Sequence, residues 1–338
     1  MKVLVALIAM ISSLCFGQQD PASILNEVDL AMQRLGMVGP DQGIQSYECV
    51  LRVFKMEGEC EIWASPAPGK AFSHITTLPI CAVDRRPGPK LREGDGKTPE
   101  GFFEVNFKHG FASRQWFMWI DLEDPFKSGE VGVGSCFKTF IEYPTELDRF
   151  HTRLAGFSNP GGAIFAHGNC VTAGCVSFQN RNYLPVFSYA RHAFIQRSKG
   201  SRGVQIHIFP FRFDQVKKDR RSELAKRNAK GLSPVMVTMF WENLEEGFRR
   251  FEKHSEFLTW RYLLGPLIMG ETSSRVVALK RLLASHGQWQ GNESPVFDSM
   301  LKKAVQDDQK RFGLKADGVV GTQTMRKLDF LPPGYDFD

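Results

Sequence analysis

Residues 47–64, YECVLRVFKMEGECEIWA, decide the fold class of this chain. Two β-type runs, rich in Val, Ile, Phe, Trp and Tyr, flank the turn Met56-Glu57-Gly58-Glu59, which is the pattern of a β-hairpin. Working outward, further runs of the same kind follow: AFSHITTLPICAV from Ala71, GFFEVNF from Gly101, QWFMWIDL from Gln115, GAIFAHG from Gly162 and VQIHIFPF from Val204. Loops containing Gly and Pro separate them. One helical pattern interrupts the series, at about Leu184 to Ser198. Residues 47–213 therefore read as a mainly β domain with a few helices.

The flanks have a different periodicity. Before the hairpin, Ile24, Val28, Ala31 and Leu35 fall at helical spacing within a lead of residues 18–46. After the β region, residues 214–270 read as a helical extension. Its first part, KKDRRSELAKRNAK (217–230), has seven basic and two acidic residues and reads as a solvated helix face. Its second part carries Phe240, Leu244, Phe248, Phe251 and Phe257 at helical spacing, an apolar stripe that needs a core to cover it. Residues 271–331 hold three short amphipathic helical patterns, around 276–283, 297–312 and 322–328, which make a small three-helix domain.

Composition narrows the class. The chain has 338 residues, 42% hydrophobic and 24% charged, which is globular usage. A net charge of +6 is too mild and too dispersed for a nucleic-acid binder. The start, Lys2 followed by an apolar run from Val3 to Ile11 and then SSLCFG, reads as a secretory signal peptide of residues 1–17. No other segment approaches 18 uninterrupted apolar residues, so no transmembrane segment is expected after cleavage. The expectation is an exported protein, periplasmic or associated with the cell wall.

Chemistry concentrates in residues 161–180, GGAIFAHGNCVTAGCVSFQN. An apolar strand ends in His167-Gly168, and a tight loop delivers Cys175 just before the expected helix. A thiol nucleophile needs a base, donors for the developing oxyanion and help in forming thiolate. His167 is the candidate base, and Gly168 leaves room for the chain to turn. Backbone N–H groups around Ala173, Gly174 and Cys175 are candidate oxyanion donors, and a helix N-terminus close behind would favour thiolate. Thr172 is the candidate for orienting the imidazole. Two other readings stand on residue types alone. One is a structural Cys170–Cys175 disulfide in an exported chain. The other is metal ligation by His167, Cys170 and Cys175, whose spacing is not a standard zinc pattern and which has no fourth ligand nearby.

The segment resembles the active-site motif of YkuD-type L,D-transpeptidases, in which His-Gly is followed by Ser/Thr-x-Gly-Cys. Upstream, GDGKTPEGFF (Gly94 to Phe103) is similar to the second hallmark of that family. LPICAVDRRPGPKLRE, YPTELDR (Tyr143 to Arg149) and IFPFRF (Ile208 to Phe213) are similar to its YafK-like branch. The resemblance implies a β-sandwich-like catalytic domain with Cys175 as nucleophile and His167 as base, and no metal or organic cofactor. It implies attack on a peptidoglycan tetrapeptide stem, loss of the terminal D-alanine, and a thioester. An amine acceptor then resolves the thioester to a 3–3 cross-link, or water hydrolyses it. Some members of the branch hydrolyse, one of them releasing an outer-membrane lipoprotein from peptidoglycan. Ala173 and Ser177 depart from the commoner family motif, which has His and Arg there. Arg92 and Arg149 are then the candidate cations for substrate carboxylates. Ala304-Val305, Gln309, Gly313-Leu314 and DGVVG (Asp317 to Gly321) with Thr324 resemble a three-helix peptidoglycan-binding domain, with Asp308 in place of the usual aromatic and Phe312 expected to refill that part of the core. The implied partner is peptidoglycan. The non-enzymatic alternative is a wall-binding protein whose cysteines are all structural. Of the remaining cysteines, Cys49 and Cys60 sit on adjacent expected strands and are the candidate disulfide pair.

Overall fold

The computed structural model describes residues 21–40, 42–43, 45–107, 139–255 and 266–328. The expected signal peptide, the QWFMWIDL run, Phe257 and Cys136 lie outside them. Contacts divide the chain into two compact units. The first comprises Met1–Arg86, Glu93–Tyr143 and Gly161–Phe211, and the second Pro87–Arg92, Pro144–Pro160 and Arg212–Asp338.

The first unit is built on one curled sheet. Its strands are β1 Glu48–Phe54, β2 Glu59–Ser65, β3 Ser73–Pro79, β4 Gly101–Asn106, β5 Thr139–Ile141, β6 Phe165–His167, β7 Val176–Ser177 and β8 Val204–Phe209. Their order in the sheet is β3-β2-β1-β8-β4-β5-β6-β7. The expected hairpin is present, β1 pairing antiparallel with β2 from Glu48↔Ser65 to Phe54↔Glu59. That register sets Cys49 opposite Ala64 and Cys60 opposite Val53, so the two cysteines lie four positions out of step. The expected Cys49–Cys60 bridge is therefore not formed, and both remain buried thiols. Burial raises the pKa of each above the ordinary thiol value, so they stay neutral.

One sheet face carries Cys49, Leu51 and Val53 of β1 with Ile206 and Ile208 of β8. They pack with α3, Asn180–Ile195, through Tyr183, Leu184, Val186, Phe187, Tyr189, Ala190 and Ala193. Each such large side chain, moved from water into the core, contributes roughly 1.5–3 kcal/mol before entropy is counted. The lead helix α1, Pro21–Arg34, adds Val28, Ala31 and Met32 to the same core. It is clipped to α3 by Asp29, which accepts from Ser188 Oγ at 2.6 Å and pairs with His192 Nε2 at 2.9 Å. The helix expected at 184–198 thus starts four residues earlier and closes in a short 3-10 turn, Gln196–Lys199.

The second unit is helical: α2 Glu146–Leu154, α4 Lys218–Asn228, α5 Pro234–His254, α6 Ser274–Ser285, α7 Ser299–Arg311 and α8 Thr322–Lys327. Thr145 and Asp148 form a capping box at the start of α2. In α4 Leu224 and Ala225 are buried. Most of its basic residues face solvent, as the composition implied, but Arg221 turns inward, its side chain 11% exposed and paired with Glu245 of α5. On α5, Phe240, Leu244, Phe248 and Phe251 are all buried. The last three helices share a core of Leu267, Val276, Leu279, Leu283, Phe297, Leu301, Val305, Val320, Met325 and Leu328, with Phe312 packed at its edge. Gln309 ties the loop before α8 to α7. Its Nε2 donates to Val319 O (2.9 Å) and Thr324 Oγ1 (3.1 Å), and its Oε1 accepts from Gly318 N (2.8 Å). Asp308 is buried where the resemblance expects an aromatic, and burial raises its pKa.

Candidate active site

The site grows from the last two strands of the sheet. β6 and β7 pair in parallel, with Ala166 opposite Val176 and His167 opposite Ser177. Side chains alternate along a strand, so Ala166 and Val176 point to one face, where both join the core. His167 and Ser177 fall on the other face. Cys175 is the residue immediately before β7, so the pairing sets it at the start of the strand next to the one that ends in His167. His167 is 9% exposed, and Cys175 is half-buried and outside any disulfide.

His167 Nδ1 lies 2.5 Å from the carbonyl oxygen of Gly168. A carbonyl only accepts, so Nδ1 carries the proton, and in the neutral ring Nε2 holds the lone pair a base needs. Ser177 Oγ donates to the same carbonyl at 3.0 Å and lies 3.5 Å from Nδ1. The partner that orients the imidazole is thus a main-chain carbonyl supported by Ser177, and Thr172 does something else. Thr172 Oγ1 donates to Cys175 O at 2.7 Å and accepts from Gly174 N at 3.0 Å. It shapes the Cys175 loop rather than the histidine. The same bond engages the Gly174 N–H internally, which corrects its expected part as an oxyanion donor. The helix-dipole expectation is corrected as well: β7 intervenes, and α3 begins only at Asn180.

Below the loop lies the Gly94–Phe103 segment. Thr98 Oγ1 donates to Cys175 O at 3.4 Å and accepts from Asp84 N at 3.2 Å. Lys55, fully buried, holds this segment through Thr98 O (3.0 Å) and an ion pair with Glu100 (3.0 Å). Lys97 is 3% exposed, and burial, followed by the nearby Lys55 charge, draws its ammonium down to about 8.

Strain collects around the thiol. Among the described residues, five non-glycine positions have positive φ, and three of them, Ala163 (53°), Asn169 (80°) and Cys170 (52°), lie in the loops beside Cys175. Such conformations cost of order 1–3 kcal/mol each and cluster at functional sites. Cys175 Sγ lies 3.9 Å from the carbonyl oxygen of strained Ala163. Cys170 is bridged to Cys81. This removes both the Cys170–Cys175 disulfide and the three-ligand metal reading, since a bridged sulfur is unavailable to either.

Both candidate cations have contacts of their own. Arg92 lies over the Phe157 ring at 5.5 Å, and Arg149 pairs with Glu146 at 3.6 Å. Both belong to the second unit. The sequence reading missed Ser177 as a supporting group.

Residues 272–328 match the family described as "Putative peptidoglycan binding domain". The chain carries a domain of that family. It is also 24% identical over 236 residues to "Putative L,D-transpeptidase YafK" of Escherichia coli strain K12, a match spanning 70% of this chain and 79% of that protein. The resemblances drawn from the motifs are thus borne out as resemblances. Among solved structures, the helical cell shape determining protein Pgp2 from Campylobacter jejuni is 18% identical, the match covering 60% of this chain and 59% of that one with a TM-score of 0.28. Bd1075 of Bdellovibrio bacteriovorus is 18% identical over 60% of each chain with a TM-score of 0.25. Both matches span less than two thirds of those chains, and at these scores the overlays carry no argument.

Proposed function

We propose that this chain is an exported cysteine enzyme of the L,D-transpeptidase type that acts on peptidoglycan stem peptides. The observation that supports the reading is the pairing of β6, which ends in His167, with β7, which Cys175 directly precedes, together with Nδ1 held by the Gly168 carbonyl. Nε2 of His167 takes the thiol proton, and the thiolate attacks the carbonyl that precedes the terminal D-residue of a tetrapeptide stem. D-Alanine leaves with a proton returned by the imidazolium, and the acyl group stays on sulfur as a thioester. An amine from a neighbouring stem, or water, then resolves it. The kinship with the YafK protein and the wall-binding family of the C-terminal domain support this substrate. The C-terminal domain would hold the enzyme on an insoluble polymer and raise the local concentration of stems.

The short spacing from His167 to Cys175, with Ala173 and Ser177 inside and after the motif, favours a second reading for the last step. In it, water is the acceptor, and the enzyme trims stems or releases a wall-linked lipoprotein. One experiment addresses both. Incubation with disaccharide-tetrapeptide, followed by muropeptide analysis, is expected to show D-alanine release, with a cross-linked dimer for a transferase and only the tripeptide for a hydrolase. A Cys175→Ala variant that still makes either product refutes the thiol mechanism.

A further inference from the structure

Cys81 and Cys170, 89 residues apart in sequence, form a disulfide whose Cα atoms are 5.3 Å apart, and both residues are exposed. The bridge joins the two sides of the candidate active site. On one side, Cys170 lies three residues after His167 and five before Cys175. On the other, Cys81 directly precedes Ala82, whose N–H and C=O both bond Ser177, at 3.1 and 2.9 Å. Ser177 faces His167 across the strand pair and supports the Gly168 carbonyl. Between the bridge and the histidine, Asn169 and Cys170 are two successive non-glycine residues at φ 80° and 52°. Asn180 Oδ1 holds the Asn169 N–H at 2.9 Å, and Phe178 O the Cys170 N–H at 3.3 Å. The side-chain anchor of Cys170 is the disulfide itself.

We propose that the Cys81–Cys170 disulfide is an activation switch for the Cys175 site, an inference that rests on the cysteine-enzyme reading above. With the bridge closed, the Gly168 carbonyl is locked against His167 Nδ1, and Nε2 is presented as the base. With it open, Asn169 and Cys170 relax from the left-handed region, the carbonyl moves, and the imidazole loses its orientation. Closure removes two electrons and two protons from the Cys81 and Cys170 thiols. An acceptor disulfide takes them through a mixed disulfide and leaves as a dithiol; a dithiol reverses the step in the same way. Cys175 remains a thiol throughout. Dithiols dominate the cytoplasm and disulfides persist outside it, so catalytic competence arises on export.

The test uses the full chain in three forms: oxidised wild type, wild type opened by a trialkylphosphine (which takes oxygen from water and leaves two thiols), and the Cys81→Ser/Cys170→Ser double variant. Bond state is read by alkylation and mass measurement, and turnover by D-alanine release from disaccharide-tetrapeptide across pH. Opening the bond is expected to lower kcat by about 10- to 100-fold, as an ångström-scale misplacement of a catalytic group does, with KM within about twofold. The acid limb of kcat/KM is expected to move, and reoxidation to restore the rate. The double variant is expected to be slow and insensitive to phosphine. Equal turnover with the bond open and closed overturns the switch alone. A loss that reoxidation does not reverse marks unfolding and also overturns it. Oxidised wild type without turnover overturns the cysteine-enzyme reading and the switch with it.

Discussion

Replacing Gly174 by alanine tests how tightly the Cys175 loop is built. The residue has φ 129°, a conformation L side chains rarely adopt, and a Cβ there would lie 2.7 Å from the carbonyl oxygen of Lys97 and 3.4 Å from Ile164 Cδ1. The first contact cannot relax by turning a side chain, because it is backbone. That backbone is itself held, Lys97 N donating to Asp95 Oδ1 at 2.9 Å and Lys55 reaching Thr98 O at 3.0 Å. The conformational cost is about 1–3 kcal/mol. Overpacking adds about 1–3 kcal/mol. Gly174→Ala is therefore expected to destabilise by about 2–6 kcal/mol, lowering Tm by roughly 4–24 °C at the sensitivity of a domain this size. Gly94→Ala is the control: its φ is 72°, but nothing lies within 4 Å of the added atom, so only the conformational cost of about 1–2 kcal/mol remains. Urea and thermal unfolding of both variants measure the difference, and D-alanine release is expected to suffer only in Gly174→Ala. If the two alanines cost the same within about 0.5 kcal/mol, the contact with Lys97 does not constrain the loop.

Other expectations follow from the same contacts. Thr172→Val removes both the donor to Cys175 O and the acceptor for Gly174 N; at an exposed position this is expected to cost only about 1–2 kcal/mol of stability while kcat falls tenfold or more, with Thr172→Ser restoring the rate. In α2, burial raises the Asp148 carboxyl to about 7 and lowers the His151 imidazole to about 4. Asp148 thus contributes stability present below its unfolded pKa and lost as pH rises to about 7, whereas the His151 contribution is present above its unfolded pKa and lost as pH falls to about 4. Between pH 4 and 6.5 the two oppose, at about 1.4 kcal/mol per unit each. Asp148→Asn is therefore expected to give stability that rises with pH in urea titrations over that window, and His151→Gln stability that falls; parallel profiles in the two variants rule the assignment out. Gln309→Leu strips the bonds between α7 and the loop before α8 and is expected to abolish sacculus pelleting while soluble muropeptide is still turned over.

Runs of β-branched and aromatic residues located β1, β2, β3, β4 and β8, because each strand is long enough to show its composition. Three residues of β5 and two of β7 carry no periodicity to detect, so the strand that directly follows Cys175 went unread. His167 and Cys175 were legible from residue type and motif. Their working partners were not, since the acceptor for Nδ1 is a main-chain carbonyl, common to every residue. Cys81 was hidden for a related reason: pairing follows from which strands become neighbours, and Cys49 and Cys60, close in sequence, lie out of step in the hairpin register.

The short antiparallel bridge between Ala82 and Ser177 has a consequence for what an extended peptide can do beside the thiol. Among the described residues β7 ends the sheet, and an outermost strand ordinarily offers its free amides and carbonyls to any extended chain. Here both main-chain groups of Ser177 are spent on Ala82, so an extended peptide cannot lengthen the sheet by lying along Ser177. The exposed Val171–Ala173 tip and the Gly162–Ala163 turn flank the thiol in the chain instead. On the function proposed above, selectivity would then rest on the side chains and termini of the stem rather than on its backbone ladder, a mode suited to a short peptide of alternating chirality that cannot form a regular strand.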